Sequence, residues 1–272
     1  MAERPELSVV VVSWRSRDDV LACLASLAEH AGMPYEVVVV DDGSGDGTPD
    51  AVRERFPDAI VIAKPCNEGL VAGRNAALGL LRGRLVIMLD ADTEVRPGAL
   101  SALAAVLDDN PDVGLVGPRL VGRDGELQDS CRRFPSALLP VLRRGPYARL
   151  NPSPEIHRRH MMLDWDHATE RPVVWVQGAA QMWRADLPQV IGCYDSRVSS
   201  YGGEDMDWCF RVWRAGLEVR YVPQAEILHA WQQMTRRNLY DRKSFRYLRD
   251  FYYLQWKHRR LRHDTRLAEA RA

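Results

Sequence analysis

Two aspartates with the spacing of a cation site follow an apolar run in the first half of the chain. Residues 85–89 have the pattern of a buried strand, and Asp90 and Asp92 come directly after it. Ligands of open α/β sheets bind at the carboxyl ends of the strands, and two carboxylates can share one hard divalent cation. The pattern predicts a metal–diphosphate site, with a solvated turn carrying an aspartate cap as the alternative.

A second acidic pair, at residues 41–42, follows the apolar run 36–40. Asp42 can accept hydrogen bonds from a nucleobase imide or a ribose hydroxyl, or it can stabilise the glycine turn that follows by Asx bonding. The glycines at 43, 45 and 47 lack the spacing of G-x-G-x-x-G and follow the second strand. A dinucleotide-binding oxidoreductase is therefore poorly supported.

A third acidic group follows the pair Gly202 and Gly203, at the start of a predicted helix whose dipole favours ionised carboxylates. Asp205 faces the glycines and can act as a general base. Asp207 has the i,i+4 spacing of an ion pair with Arg211. Further along, His229 is either structural or a metal ligand, and a mixed oxygen and imidazole site suits Mn²⁺ somewhat better than Mg²⁺.

The elements that must position these residues follow an α/β pattern. From residue 7 to about 117, β-branched runs alternate with helical patterns, which predicts a mostly parallel, doubly wound sheet. Residues 121–171 break the alternation with prolines and are predicted to be a long excursion. The predicted strands are 7–13, 36–41, 59–63, 84–89, 113–117, 173–176 and 219–222, and the later helices are 70–81, 97–109, 186–190 and 204–215.

Composition excludes several classes of protein. The chain has 272 residues, 46% hydrophobic and 27% charged, with 37 basic and 37 acidic side chains, so it is neither disordered nor a disulfide framework. Zero net charge argues against a globally basic nucleic-acid binder, and no nucleic-acid partner is expected. Five scattered cysteines predict reduced thiols and a cytoplasmic protein. No apolar run approaches the ~20 residues of a membrane span.

The last 37 residues differ from the rest in charge. Residues 236–272 contain 12 Lys and Arg against 4 Asp and Glu, a local charge of +8. Phe245, Leu248, Tyr252 and Trp256 recur there at near-helical spacing. Such a basic, aromatic helix either lies on an anionic membrane surface or packs its aromatic side chains on the preceding domain.

In their order and spacing, these motifs resemble those of an inverting glycosyltransferase of family 2 with the GT-A fold, over residues 6–235. A Gly-Glu-Leu-Gln segment ending at Gln128 and the Arg-Arg-Phe-Pro run at 132–135 are similar to the rhamnosyltransferase-like branch, which acts on lipid-linked or cell-wall glycans. One departure is the segment Ala230-Trp-Gln-Gln-Met-Thr after His229, where the branch commonly has glycine and serine. The matching motifs are 9–14, 40–48, 67–69, 73–75, Asp90-x-Asp92, Gly178-Ala179, 192–195, 203–211 and His229.

The resemblance implies an α/β GT-A domain over residues 1–235, with a nucleotide-sugar-binding half (1–120) and an acceptor and catalytic half (121–235), followed by the basic helical tail 236–272. It implies a general base at Asp205 with Glu204 beside it, and a cation held by Asp92 and His229. For Arg74 and Asn75, helix capping is an equal alternative to donor binding. The implied donor contacts are Ser13, Trp14, Asp42, Arg74, Asn75, Asp90 and Ala91, and the implied acceptor contacts are Gly178, Ala179 and Trp208.

The implied reaction is a Mn²⁺- or Mg²⁺-dependent transfer of a sugar from a UDP- or dTDP-sugar, with dTDP-rhamnose as one candidate. The acceptor is a hydroxyl of a glycan or polyprenyl-linked glycan, at the inner face of the membrane. A sugar nucleotidyltransferase is the first alternative, but it needs a glycine-rich loop after strand one, and residues 14–17 contain no glycine. A catalytically silent sugar- or nucleotide-binding scaffold is the second. The oligomeric state is left open.

Overall fold

The computed structural model describes residues 4–142, 155–199, 202–230 and 242–264, together with residues 267 and 270. The strands are β1 (Leu7–Ser13), β2 (Tyr35–Asp41), β3 (Ile60–Ala63), β4 (Leu85–Asp90), β5 (Thr93–Val95), β6 (Val113–Val121), β7 (Leu127–Gln128), β8 (Cys131–Arg132), β9 (Arg171–Pro172), β10 (Trp175–Val176), β11 (Ala180–Arg184) and β12 (Glu218–His229). The helices are α1 (Arg17–His30), α2 (Thr48–Arg55), α3 (Leu70–Leu78), α4 (Ala99–Asp109), α5 (Leu139–Leu142), α6 (Glu155–His160), α7 (Leu187–Ile191), α8 (Gly203–Arg214) and α9 (Arg242–Lys257), followed by a 3₁₀ helix, Arg259–His263.

One mixed sheet organises the described residues, in the order β3-β2-β1-β4-β11-β6-β12-β5. The four strands β3, β2, β1 and β4 are parallel, and β12 is parallel to β6. The mostly parallel α/β sheet is therefore confirmed. Because β12 pairs with β6, the two predicted halves share a single sheet.

Burial on both faces of the sheet explains the continuous valine runs of β1 and β2. On one face Val9 and Val11 pack in a cluster with Leu27 of α1 and Leu103 of α4. On the other face Val10 packs in a cluster with the buried face of α8 and with Trp183. Since neighbouring strand residues point to opposite faces, the sheet lies between two helical layers. The polar groups lie at the carboxyl ends of its strands.

The second half of the sheet departs from the prediction. The central antiparallel strand β11 was not expected, and of the predicted strand 173–176 only Trp175–Val176 is extended, pairing with β8 outside the main sheet. The predicted strand 219–222 continues to His229, with a register shift between Val222 and Glu226. Pro223 lies in that irregularity, where proline is tolerated in a sheet and where the sequence pattern is broken.

The carboxyl-terminal helix α9 packs on the domain. Phe251 and Leu254 of α9 and Leu261 of the 3₁₀ helix are buried, so this segment packs on the domain, but not through the predicted aromatic side chains of Phe245, Tyr252 and Trp256, which are exposed. Phe245 and Trp256 are 73% and 64% exposed, and they lie on the opposite side of the helix. The boundary predicted at residues 235 and 236 lies outside the described residues. Among the residues that are described, no helix combines the length and apolar character needed to cross a membrane.

Candidate active site

Three strand ends bring the predicted cation ligands together. Asp90 ends β4, and Asp92 lies in the short turn before β5. Strand β5 pairs antiparallel with β12, with Thr93 opposite His229, which places the histidine beside this turn. The amide of Ala230 donates to the carbonyl of Asp92 at 2.9 Å and closes the arrangement. The predicted grouping of Asp90, Asp92 and His229 is thus present in space.

The donor atoms of these three residues fit a divalent cation. One ligand atom from each of Asp90, Asp92 and His229 lies within 4.8 Å of the others. At Mg²⁺–oxygen distances of about 2.1 Å, opposite ligands stand about 4.2 Å apart, so small side-chain movements complete the site. The two carboxylates suit Mn²⁺ or Mg²⁺, and the imidazole favours Mn²⁺ of the two. The Asp92 Oδ1 to His229 Nε2 distance is 3.5 Å.

The predicted base lies at the start of α8. Gly202 adopts a left-handed conformation with φ 80° and turns the chain into the helix. The buried carboxylate of Asp205 accepts hydrogen bonds from the amide of Gly178 at 2.8 Å and from that of Met206 at 2.7 Å. A β-carbon at Gly178 would stand 3.0 Å from Asp205. Glycine at 178 therefore allows the backbone to approach Asp205.

Arg74 connects the base to the cation site. Its buried guanidinium donates to the carbonyl of Gly178 at 3.0 Å and lies 3.4 Å from Asp90 and 3.7 Å from Glu204. The guanidinium also stands 5.5 Å from the centre of the Tyr194 ring. The positive charge of Arg74 is thus shared among several carboxylates, and its position makes Arg74 a positioning group within the site.

Burial controls the protonation of the acidic pair. Desolvation, and then the neighbouring Asp205 charge, raise the pKa of Glu204, while Arg74 opposes the rise. Burial also raises the pKa of Asp205, but Arg74 and two amide hydrogen bonds favour its ionised form. The amide hydrogen bonds from Gly178 and Met206 therefore favour the ionised form of Asp205 over that of Glu204. Desolvation likewise raises the pKa of Asp90, against the lowering effect of Arg74.

On the side of the site where a nucleotide is predicted to bind, Asp42 bonds to the protein itself. Its carboxylate accepts from Lys64 Nζ at 2.7 Å and from the amides of Glu68 and Gly69 at 3.1 and 2.7 Å. These bonds tie the end of β2 to the loop before α3. Contact of Asp42 with a nucleobase stays a prediction. The adjacent Asp41 Oδ1 is buried and accepts no hydrogen bond in the described part of the chain.

The other predicted donor contacts differ in accessibility. Trp14 is 40% exposed just beyond β1, whereas Ser13 and Ala91 are buried. Ser13 Oγ has no hydrogen-bond partner within the described ranges. The side-chain amide of Asn75 exchanges two hydrogen bonds with the backbone of Tyr194, at 2.9 and 3.0 Å. These bonds give Asn75 a structural role that differs from the predicted helix cap.

The predicted acceptor contacts are corrected by their burial. The prediction for Trp208 is wrong, because its side chain is fully buried and stacks on Tyr194 with ring centres 4.0 Å apart. Ala179 is also buried, and its carbonyl accepts from the amide of Asp90 at 2.9 Å. Gly178 bonds to Asp205 and Arg74. Gly178, Ala179 and Trp208 therefore support the site from the interior of the protein.

The carboxyl-terminal helix is attached to the helix that carries the base. Asp207 forms the predicted ion pair with Arg211 at 2.9 Å, and its other oxygen lies 2.7 Å from both Lys257 Nζ and His258 Nε2. Burial raises the pKa of Asp207, but the His258 hydrogen bond and the Arg211 and Lys257 charges outweigh it and lower that pKa. Sequence reasoning had identified only the local Arg211 partner.

A known family and several named proteins are similar to this chain in sequence. Residues 8–162 match the family described as Glycosyl transferase family 2. An N-acetylglucosaminyl-diphospho-decaprenol L-rhamnosyltransferase of Mycobacterium tuberculosis is 31% identical over 245 residues, which cover 85% of this chain and 78% of the relative. A pre-mycofactocin glycosyltransferase of that species is 32% identical over 211 residues, 77% of this chain and 40% of that protein. Similarity to the rhamnosyltransferase-like branch is confirmed.

Solved structures share the fold. The mannosyltransferase PcManGT from Pyrobaculum calidifontis, in complex with GDP-Man and Mn²⁺, has a TM-score of 0.59 at 23% identity, over 86% of this chain and 59% of that one. GalNAc-T7 with UDP, GalNAc and Mn²⁺ has a TM-score of 0.66 at 16% identity, over 94% of this chain and 48% of that one. The predicted GT-A fold is confirmed. The chain belongs to glycosyltransferase family 2 and is a glycosyltransferase.

Proposed function

We propose that this chain is an inverting, cation-dependent glycosyltransferase that moves a sugar from a nucleoside diphosphate sugar to a hydroxyl of a lipid-linked glycan. The observation that carries the proposal is the junction at Arg74, which contacts Asp90 of the Asp90, Asp92 and His229 group and is connected to the buried Asp205 through Gly178. A leaving group and a nucleophile are activated from opposite sides of one anomeric carbon in such a reaction. The group of Asp90, Asp92 and His229 would serve the leaving group, and Asp205 would serve the nucleophile.

Asp92 and His229, with Asp90 beside them, would hold Mn²⁺ or Mg²⁺ at the end of β4. A bound divalent cation supplies Lewis-acid stabilisation to the diphosphate as it departs with the electron pair of the broken carbon–oxygen bond. Asp90 is 34% exposed, so it is also accessible to a sugar or ribose hydroxyl of the donor. The Mn²⁺ complexes of the two solved relatives support the choice of cation.

Asp205 would take the proton of the acceptor hydroxyl as its oxygen bonds to the anomeric carbon. Single displacement with inversion needs this base to be ionised while the acceptor is aligned. The two amides that bond to Asp205 hold its charge and orientation, and a proton on Glu204 would avoid a second buried charge beside it. Asp205 is therefore the better base of the pair, and Glu204 supports it.

The donor would bind along the carboxyl ends of β1 and β2. Exposed Trp14 offers a ring face to the nucleotide, and Ser13 Oγ and Asp41 Oδ1 are buried polar atoms with unused hydrogen-bonding capacity in the described ranges. Asp42 would shape this pocket through Lys64 and Gly69. The donor is a UDP- or dTDP-sugar, and the rhamnosyltransferase relative favours dTDP-rhamnose. Its lipid-linked acceptor favours a polyprenyl diphosphate glycan and a role in cell-wall polysaccharide synthesis.

The exposed face of α9 would contact the membrane that carries such an acceptor. Phe245, Tyr252 and Trp256 are seven and four residues apart, so they share one helical face, and all three are exposed. Arg246 and Arg259 are exposed on the same helix and in the following turn. Aromatic side chains with arginines suit an anionic lipid surface. We propose a cytoplasmic protein that works at the inner face of the membrane.

A catalytically silent scaffold is the remaining alternative, and nucleoside diphosphate release distinguishes it. The native chain and Asp92→Asn are incubated with UDP-, dTDP- and GDP-sugars, with and without Mn²⁺. We expect Mn²⁺-dependent release from one donor, and its loss in Asp92→Asn. The exposed Asp58→Asn is the matched control and should release at the native rate. Absence of release from every donor, with no Mn²⁺-dependent nucleotide binding by calorimetry, would contradict the proposed enzyme and favour the scaffold.

A further inference from the structure

A short hairpin brings Gln128 to the side of the His229 ring that faces away from Asp92. Strands β6 and β7 pair antiparallel with Leu120 opposite Gln128, and Gly125 turns the chain between them with φ 81°. Gln128 Oε1 lies 2.7 Å from His229 Nδ1, and Gln128 Nε2 lies 2.7 Å from the carbonyl oxygen of His229. The two residues are 101 positions apart in sequence.

This pair of contacts determines where the ring proton of His229 lies. A backbone carbonyl only accepts hydrogen bonds, so the Gln128 atom beside it must be the amide nitrogen. The Gln128 oxygen then faces Nδ1, and since that oxygen only accepts, Nδ1 must carry the proton. Neutral imidazole carries a single ring proton. The lone pair of His229 is therefore on Nε2, which points toward Asp92.

Without a cation, the Nδ1–H tautomer of His229 is unfavourable, because it leaves Nε2 as an acceptor beside the Asp92 carboxylate. Nε2 and Asp92 Oδ1 lie 3.5 Å apart, and both are acceptors when His229 is protonated at Nδ1. A lone Asp92 would draw the proton to Nε2 and form a hydrogen-bonded pair, as a structural histidine does. Gln128 opposes that outcome, and a metal ion between the two acceptors removes their repulsion.

We propose that Gln128 is a positioning residue for the cation site: it fixes the Nδ1–H tautomer of His229 and so presents Nε2 to the metal. The inference rests on the proposed function, because it assumes that the cation binds at Asp92 and His229. It also gives the Gly-Glu-Leu-Gln segment a physical role, in which Gly125 forms the turn and Gln128 orients the ligand.

The tautomer is measured without metal or activity, by two-bond ¹⁵N–¹H correlations of the histidine-labelled full chain at a pH of about 9, well above the usual histidine pKa. The His229→Ala spectrum identifies the His229 signals. The native chain should show Nδ1–H, and Gln128→Leu should show Nε2–H drawn toward Asp92. Gln128→Glu loses the donor to the His229 carbonyl but keeps an acceptor at Nδ1, so it should keep the native tautomer. Gln189→Leu, an exposed glutamine of α7, is the matched control and should match the native spectrum.

The affinity for Mn²⁺ alone, from electron paramagnetic resonance titration, tests the consequence. Gln128→Leu should bind Mn²⁺ about 10- to 100-fold more weakly, the usual cost of losing a group that orients a metal ligand, and Gln128→Glu should stay within a few fold of the native chain. An unchanged tautomer or unchanged Mn²⁺ affinity in Gln128→Leu would overturn the role of Gln128 while leaving the metal site intact. A native chain that binds no Mn²⁺ would overturn the metal site itself.

Discussion

Replacement of Asp205 by asparagine separates base catalysis from folding and donor binding. The substitution keeps the shape and leaves one oxygen to accept an amide, but its NH₂ group faces the second of the two amide donors, Gly178 or Met206. One buried donor left unsatisfied costs about 1–3 kcal/mol, so the variant should still fold. Loss of a general base lowers turnover about 10²- to 10⁴-fold, which is about 2.7–5.5 kcal/mol of transition-state stabilisation.

The assay is sugar transfer from the active donor at saturating acceptor, together with donor affinity by calorimetry and the free energy of unfolding by denaturant. We expect a large fall in turnover with little change in donor affinity. Asp50→Asn, an exposed first-turn aspartate of α2, is the control and should keep native turnover. If Asp205→Asn transfers sugar at the native rate, or loses donor affinity in proportion to turnover, Asp205 is not the base.

Three other features give predictions of their own. Arg74→Met removes the guanidinium that neutralises several buried carboxyls, so it should lower the free energy of unfolding by about 3–5 kcal/mol. Exposed Arg53→Met should change that free energy by under about 0.5 kcal/mol. Equal effects of the two substitutions would contradict the role of Arg74 as a junction. Because the folded-state pKa of Asp207 is lowered, its contribution to stability is present above about pH 3.9 and is lost as pH falls through the folded pKa. Thermal melts should therefore show a steeper acid loss in the native chain than in Asp207→Asn, and parallel curves would refute the assignment. Phe245→Ser with Trp256→Ser should weaken cosedimentation with anionic vesicles at least about tenfold, and unchanged binding would remove α9 from membrane contact.

The first half of the fold was predictable because its signals are local. Strands β1, β2 and β4 are apolar runs buried on both faces, and each polar strand end marks the ligand edge. Strand β11 was missed because Ala180–Arg184 is short and shows neither alternation nor a β-branched run, although Trp183 inside it is fully buried. It is extended only because β4 and β6 pair on either side of it.

The structure brings predicted site residues together where the order of the motifs carries geometric information. Asp90, Asp92 and His229 meet because β4 and β12 end where β5 begins. The partners of Asp42 and Asn75 were not predictable, since Lys64 and Tyr194 reach them only after loops have folded. The resemblance assigned an acceptor role to Trp208, which the burial of its side chain excludes.

The central claim is that Asp90, Asp92 and His229 hold the cation on which donor cleavage depends. Electron spin-echo modulation of Mn²⁺ bound to the native chain with the active nucleoside diphosphate tests it directly. We expect nitrogen modulation from one imidazole, abolished in His229→Ala and retained in His30→Ala, a histidine at the end of α1. Bound Mn²⁺ with no nitrogen modulation, or with modulation that survives His229→Ala, would contradict the account.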